Sequence, residues 1–148
     1  MTELRVRALQ AADADAARAL VSRQFGATSY EARLLEQLEL ALSGDDPECR
    51  ALVAGDDVRE IMLFGSIAGA EGVLKIHALA GDDVSSLRAL VLDVMSTRAR
   101  LVICELADDA PFAVTGQLLR GLGFEEEGRV ADFFRDDVAL VILTWRGV

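Results

Sequence analysis

The stretch Gly72-Val73-Leu74-Lys75-Ile76-His77-Ala78-Leu79-Ala80-Gly81-Asp82-Asp83-Val84-Ser85-Ser86 reads as a strand, a short loop and the start of a helix. A strand that runs into a helix N-terminus is where many α/β proteins hold an anion. Free backbone N–H groups and the helix dipole both favour negative charge there. Alternation along the strand puts Val73, Lys75, His77 and Leu79 on one face. Beyond the loop, Leu87, Leu90, Val91 and Val94 recur at helical spacing, which predicts a helix from Ser85 to Thr97.

Working outward, Arg50 to Ala54 and Arg59 to Ala68 read as strands. They are joined by a tight turn at Gly55-Asp56-Asp57. Ile61-Met62-Leu63-Phe64 lacks alternation, which predicts a central strand covered on both faces. Gly69, Glu71 and Gly72 mark the hairpin into the strand Val73 to Leu79. Upstream, Leu4 to Leu9 alternates apolar and basic like a half-exposed strand. Asp13 precedes a helix over Ala14 to Gln24 with Ala17, Leu20, Val21 and Gln24 on one side. Thr28-Ser29-Tyr30-Glu31 has the form of a capping box, and the helix after it carries Leu34, Leu35, Leu38 and Leu42 inward.

Downstream, Leu101 to Leu106 is an apolar strand interrupted by Glu105. Asp108-Asp109-Ala110-Pro111 opens a helix, with proline in its first turn. Phe112, Leu118, Leu119 and Leu122 line its buried side. Phe124 to Val130 is a strand, Asp132 to Asp137 a loop, and Val138 to Trp145 the last strand. The order is β-α-α-β-β-β-α-β-α-β-β. Strands four and five are joined through a helix and are expected to run parallel by a right-handed crossover. The result is an α/β (α+β) mixed, mostly antiparallel sheet with helices on both faces.

Composition sets the bounds. A chain of 148 residues suits one domain, 1–148, with a sizeable core. At 52% hydrophobic it is not a disordered chain, and with only 5% aromatic its core must be aliphatic. A net charge of −10 disfavours nucleic acid and anionic membranes as partners. It suits cationic substrates such as amines, although acidity also serves solubility alone. Cys49, Cys104 and a lone histidine match no familiar zinc spacing, so no metal site is expected. Met1-Thr2-Glu3-Leu4-Arg5 has no basic-then-apolar leader, and no apolar run reaches the length of a membrane span. The expected location is the cytoplasm, with reduced thiols.

The element order resembles that of the GCN5-related N-acetyltransferase (GNAT) superfamily. Gln117-Leu118-Leu119-Arg120-Gly121-Leu122-Gly123-Phe124-Glu125 is similar to the family's helix that ends in Gly-Phe before a strand. Val130 to Trp145 resembles its final loop and strand, and Arg59 to Leu79 its central hairpin. The resemblance implies an N-acetyltransferase that binds acetyl-CoA between strands four and five, which splay apart in the family. It places the pantetheine arm along Ala78, Leu79 and Ala80. The diphosphate would then face Gly81, Val84, Ser85 and Ser86. The acceptor would be a small-molecule or peptide amine. This chain departs from the family pattern in its loop, which has one glycine and two adjacent carboxylates. It also has Leu119 where the family often has a proton-donating tyrosine, and Phe112 near where it often has asparagine. Those departures suit a non-catalytic GNAT-like protein used for ligand sensing, dimerisation or partner binding.

Three residues are candidates for catalysis. His77, of ordinary pKa near neutrality, is a base for an amine or a hydrogen-bonded strand histidine. Tyr30 lines a substrate site or donates a proton, or else covers a helix start. Glu105 is a buried base, or a strand-end carboxylate facing solvent or paired with Arg98 or Arg100. Cys104, in an apolar strand, reads as a core residue. Phe133-Phe134 marks a homodimer contact or pocket wall, or else closes the end of the core.

Overall fold

A computed structural model describes residues 5–147 of the chain. Met1 to Leu4, which hold the start of the first expected strand and most of the stretch expected to carry no leader, lie outside the described residues. The elements are β1 (Val6–Ala8), α1 (Ala14–Phe25), α2 (Glu31–Ser43), β2 (Arg50–Ala54), β3 (Glu60–Ile67) and β4 (Ala70–Ala80). They continue with α3 (Val84–Met95), β5 (Leu101–Ala107), α4 (Ala113–Gly121), β6 (Glu125–Arg135) and β7 (Val138–Arg146). Short 3-10 turns precede α1 at Ala11–Asp13 and α4 at Ala110–Phe112.

The strands form one seven-stranded sheet in the order β1-β2-β3-β4-β5-β7-β6. Among the described residues only β4 and β5 pair in parallel, and every other neighbour is antiparallel. The mixed α/β architecture is therefore the expected one. Consecutive buried residues from Ile61 to Phe64 show that β3 is covered on both faces. Helix α2 packs on β2 and β3, α1 on β3 and β4, and α3 on β1 to β4. The core is mostly aliphatic, with Leu38, Ile61, Met62, Leu63, Ile76, Leu79, Leu90, Leu119 and Leu143 almost wholly enclosed, and it also takes in Phe25, Phe64, Phe112 and Phe124. Among the described residues, no helix is long and apolar enough to cross a membrane.

Several local expectations are corrected. The segment expected to form a loop over Asp132 to Asp137 lies mostly within β6, which continues to Arg135 and turns at Asp136-Asp137. Asp132 and Asp137 take positive φ (54° and 63°), and the Asp137 N–H donates to Asp132 Oδ1 at 2.8 Å. These contacts let a charged stretch continue as a bulged edge strand. The expected capping box at Thr28 does not form. Thr28 Oγ1 instead donates to the Phe25 carbonyl, and α2 starts at Glu31 without a side-chain cap. Asp13 does not cap α1 either. It accepts two hydrogen bonds from Arg7, at 2.7 and 3.0 Å, and clips β1 to the turn before α1. Gln24, expected on the inner face of α1, yields that place to Phe25. On α2, Gln37 is buried while Leu35 and Leu42 are half-buried.

Two features of β4 position the site. Its parallel pairing with β5 runs only from Val73↔Leu101 to Ile76↔Cys104. Past that point the two strands diverge. At the same level Leu63 pairs with Ala78 but Phe64 pairs with Ile76, so His77 is an extra residue bulged out of the ladder. A bulge re-aims the side chain it carries, and here it does so where the strands part.

Candidate functional site

A cavity of about 560 Å³ lies over this divergence. Its floor is Lys75 and His77 of β4, Glu105 and Ala107 of β5, and Leu140 of β7. Ser29, Tyr30, Arg33, Leu34 and Gln37 form one wall along α2 and its approach. Phe112, Phe133 and Phe134 form the other. His77, Tyr30 and Glu105 are far apart in sequence, yet all three border this one space.

The His77 ring is held by its neighbours. Nε2 lies 2.8 Å from the backbone oxygen of Glu48. A carbonyl only accepts, so Nε2 carries the hydrogen and Nδ1 is left as the basic atom of a neutral ring. Glu48 reaches this position because β3 has Gly65 there. A Cβ on Gly65 would sit 2.1 Å from the Glu48 oxygen. Burial lowers the pKa of His77, and the charges of Lys75 and Arg33 add to the effect against the opposing bond to Glu48. The ring therefore stays neutral through physiological pH.

Glu105 is exposed and pairs with Lys75 Nζ at 3.4 Å, rather than with Arg98 or Arg100. The expectation of a buried glutamate is thus replaced by a cross-strand pair at the cavity floor. Tyr30 is buried. Its hydroxyl donates to Asp109 Oδ2 at 3.0 Å and accepts from Arg135 Nη1 at 3.2 Å. Arg135 also donates to Asp109 Oδ2 at 2.7 Å. Burial raises the Tyr30 pKa, and the guanidinium of Arg135 lowers that of Asp109. The Tyr30 ring meets Phe112 and Phe134 edge-on, with centroids 5.1 and 5.6 Å away. Phe133-Phe134 thus forms a pocket wall.

Sequence reasoning missed Gln37. It is 8% exposed, it borders the cavity, and its Oε1 is enclosed with no hydrogen-bond partner. An unsatisfied buried acceptor costs about 1–3 kcal/mol. Its position in the apolar rhythm of α2 gave no sign of this. Cys104 is the expected core residue, 1% exposed, with a thiol pushed up to about 12 by burial.

The residues expected along the cofactor path lie elsewhere than the cavity floor. Ala78, Leu79 and Ala80 keep only 2–3% of their surface, although β5 has left them. Gln24 Nε2 donates to the Pro111 oxygen at 3.2 Å, and Phe25 and Phe112 lie 5.2 Å apart. Together these contacts tie α1 to the segment that follows β5. Gly81 has φ +140°, and a Cβ there would lie 2.7 Å from both the Arg59 oxygen and Glu60 Cγ. The glycine serves close packing on the start of β3. Val84 is half exposed. Ser85 N–H donates to Asp83 Oδ1 at 3.2 Å and Ser86 Oγ to Asp83 Oδ2 at 2.8 Å. Asp83 N–H in turn donates to buried Glu60 Oε2 at 3.4 Å. The carboxylates of Asp83 and Glu60 thus take the Ser85 and Asp83 N–H groups and set negative charge beside the α3 N-terminus, where the diphosphate was expected.

No family model and no curated protein matches the sequence. Solved structures do. A protein from Desulfovibrio desulfuricans described as an acetyltransferase of the GNAT family superposes with a TM-score of 0.81 at 22% identity, over 97% of this chain and 99% of that one. An acetyltransferase from Salmonella typhimurium, solved with its cofactor acetyl-CoA, gives 0.73 at 14% identity over 98% and 94%. The ribosomal-protein-S18-alanine N-acetyltransferase of Escherichia coli gives 0.72 at 12% identity over 97% and 94%.

Proposed function

From a chain that has the GNAT fold, we propose an N-acyltransferase that moves an acetyl group from a thioester to an amine held in the cavity over the β4–β5 divergence. The observation that supports this most is the meeting of His77, Tyr30 and Glu105 at that cavity. The amine attacks the carbonyl of a bound thioester, the C–S bond breaks as the C–N bond forms, and the sulfur leaves as a thiol once the proton that His77 accepts is passed to it. His77 Nδ1 takes the amine's proton, since the ring is neutral and its other nitrogen is held by Glu48. Lys75 is paired with Glu105 and so offsets charge at the floor. Tyr30, fixed by Asp109 and Arg135, orients the aromatic wall. The donor proposed is acetyl-CoA, engaged without phosphate contacts at the α3 N-terminus. Calorimetric titration with acetyl-CoA, followed by mass spectrometry of an amine mixture, tests this. Saturable binding and a product heavier by one acetyl group are expected, and no binding at millimolar donor overturns it.

A second reading is a GNAT-fold protein that binds a small ligand without transferring an acyl group. One observation favours it: Asp83 and Glu60 occupy the helix terminus that would hold a phosphate.

A further inference from the structure

We infer that the cavity takes a small zwitterion, an amino acid with an apolar side chain, rather than a simple cationic amine. The inference rests on the reading of this cavity as the acceptor site, and it names the acceptor.

The first support is local charge. The protein carries −10 overall. The cavity nevertheless holds two cations, Arg33 and Lys75, against one carboxylate, Glu105. Lys75 is matched by Glu105 at 3.4 Å. Arg33 joins no ion pair among the described residues. The carboxylates of Glu36 and Glu48 act on the same neighbours as Arg33 and offset part of its charge. Its guanidinium nevertheless keeps its donors free of any ion pair at the wall, where they suit a carboxylate.

The second support is Gln37. Its Oε1 is enclosed and unpaired beside the cavity. The terminal amide torsion is broad, so a modest rotation turns this acceptor toward a ligand N–H. Arg33 and Gln37 are four residues apart on α2, which stacks them on one face of the helix, one turn apart. A guanidinium and an amide oxygen at that spacing match the carboxylate and amino ends of one α-amino acid. The third support is the opposite wall. Phe133 and Phe134 are 56% and 39% exposed, which leaves apolar surface for a side chain to cover.

The test is calorimetric binding without any acyl donor, using L-phenylalanine, 2-phenylethylamine and 3-phenylpropanoate. L-Phenylalanine should bind at least tenfold more tightly than either compound that lacks one charged end. Arg33→Gln should abolish the preference over 2-phenylethylamine, and Gln37→Leu the preference over 3-phenylpropanoate. Arg33 is exposed, so its variant keeps the fold even if Gln37→Leu does not. Equal or tighter binding of 2-phenylethylamine, no binding of L-phenylalanine, or an unchanged preference in Arg33→Gln overturns the inference. Acetylation of 2-phenylethylamine without binding of L-phenylalanine would leave the proposed function standing and this inference lost. Binding of L-phenylalanine without transfer would overturn the proposed function and leave only the class of ligand that the cavity takes.

Discussion

His77 Nε2 lies 2.8 Å from the backbone oxygen of Glu48, and this contact fixes the hydrogen on Nε2 and leaves Nδ1 as the basic nitrogen of the neutral ring. Burial keeps the folded-state pKa below the ordinary histidine value. As pH falls below about 6.5, the unfolded chain takes up this proton before the folded one does. Stability is therefore lost on acidification across the interval between the two values, and above it this group contributes no pH dependence. His77→Gln keeps a donor for Glu48 and should remove that part of the slope. Denaturant melts at a series of pH values, together with NMR titration of the ring, check both the sign and the lowered pKa.

Gly65 is what admits Glu48 to the ring. Gly65→Ala drives a Cβ to 2.1 Å from the Glu48 oxygen and 2.2 Å from its carbonyl carbon. Both atoms are backbone, so the loop must move, at a cost of roughly 1–3 kcal/mol. Gly116, on α4, has open space around it. Gly116→Ala should stabilise by about 0.5–1 kcal/mol through helix propensity. Chemical denaturation of the two variants should shift in opposite directions.

The Arg7–Asp13 pair is enclosed, with side chains 15% and 11% exposed. Arg7 Nε also donates to the Gly55 oxygen at 3.1 Å, so one guanidinium joins β1, the turn before α1 and the β2–β3 turn. Asp13→Ala leaves this cation without its carboxylate and should cost roughly 3 kcal/mol. The hydrogen bonds from Arg7 hold the Asp13 carboxyl below its ordinary pKa. Its contribution is thus present above the ordinary carboxylate value and lost as pH falls through the lower folded value. Asp13→Asn should show less acid sensitivity than the parent in thermal melts.

At the α3 N-terminus, the carboxylates of Asp83 and Glu60 repel phosphate. Replacing them by Asn and Gln together keeps the hydrogen bonds and removes both charges. The double variant should bind coenzyme A at least tenfold more tightly than the parent at low salt, a gain of ~1.4 kcal/mol. Equal affinities by calorimetry would mean that the phosphates lie elsewhere.

Much of the architecture was legible because hydrophobic period and turn residues are local properties. The unbroken run Ile61 to Phe64 announced a central strand, and the helix between Leu79 and Leu101 announced the parallel pair. Other features depend on pairing between distant segments. The place of β7 between β5 and β6 is one. The bulge at His77 is another, since it exists only relative to Leu63 and Phe64. Lys75 meets Glu105 because Lys75 is in register with Ile103, two residues before Glu105. Tyr30, His77 and Glu105 could be singled out as rare or interrupting residues, but nothing local said that one cavity joins them. Gln37 and Arg33 looked like ordinary positions on an amphipathic helix. The two aspartates after Gly81 were the clearest local sign of departure from a phosphate loop, and the structure pairs Asp82 with Arg23 and ties the Asp83 N–H to Glu60.

The most direct measurement is amine-dependent thiol release from two donors, acetyl-CoA and S-acetyl-N-acetylcysteamine, which has the thioester but no diphosphate. If the reaction occurs over the β4–β5 divergence with His77 as base, both donors should react. Their kcat/KM values should agree within about tenfold, because no phosphate contact is at stake. His77→Gln should lower kcat with either donor by roughly 10²-fold or more. No release with either donor, or full activity in His77→Gln, would contradict the account.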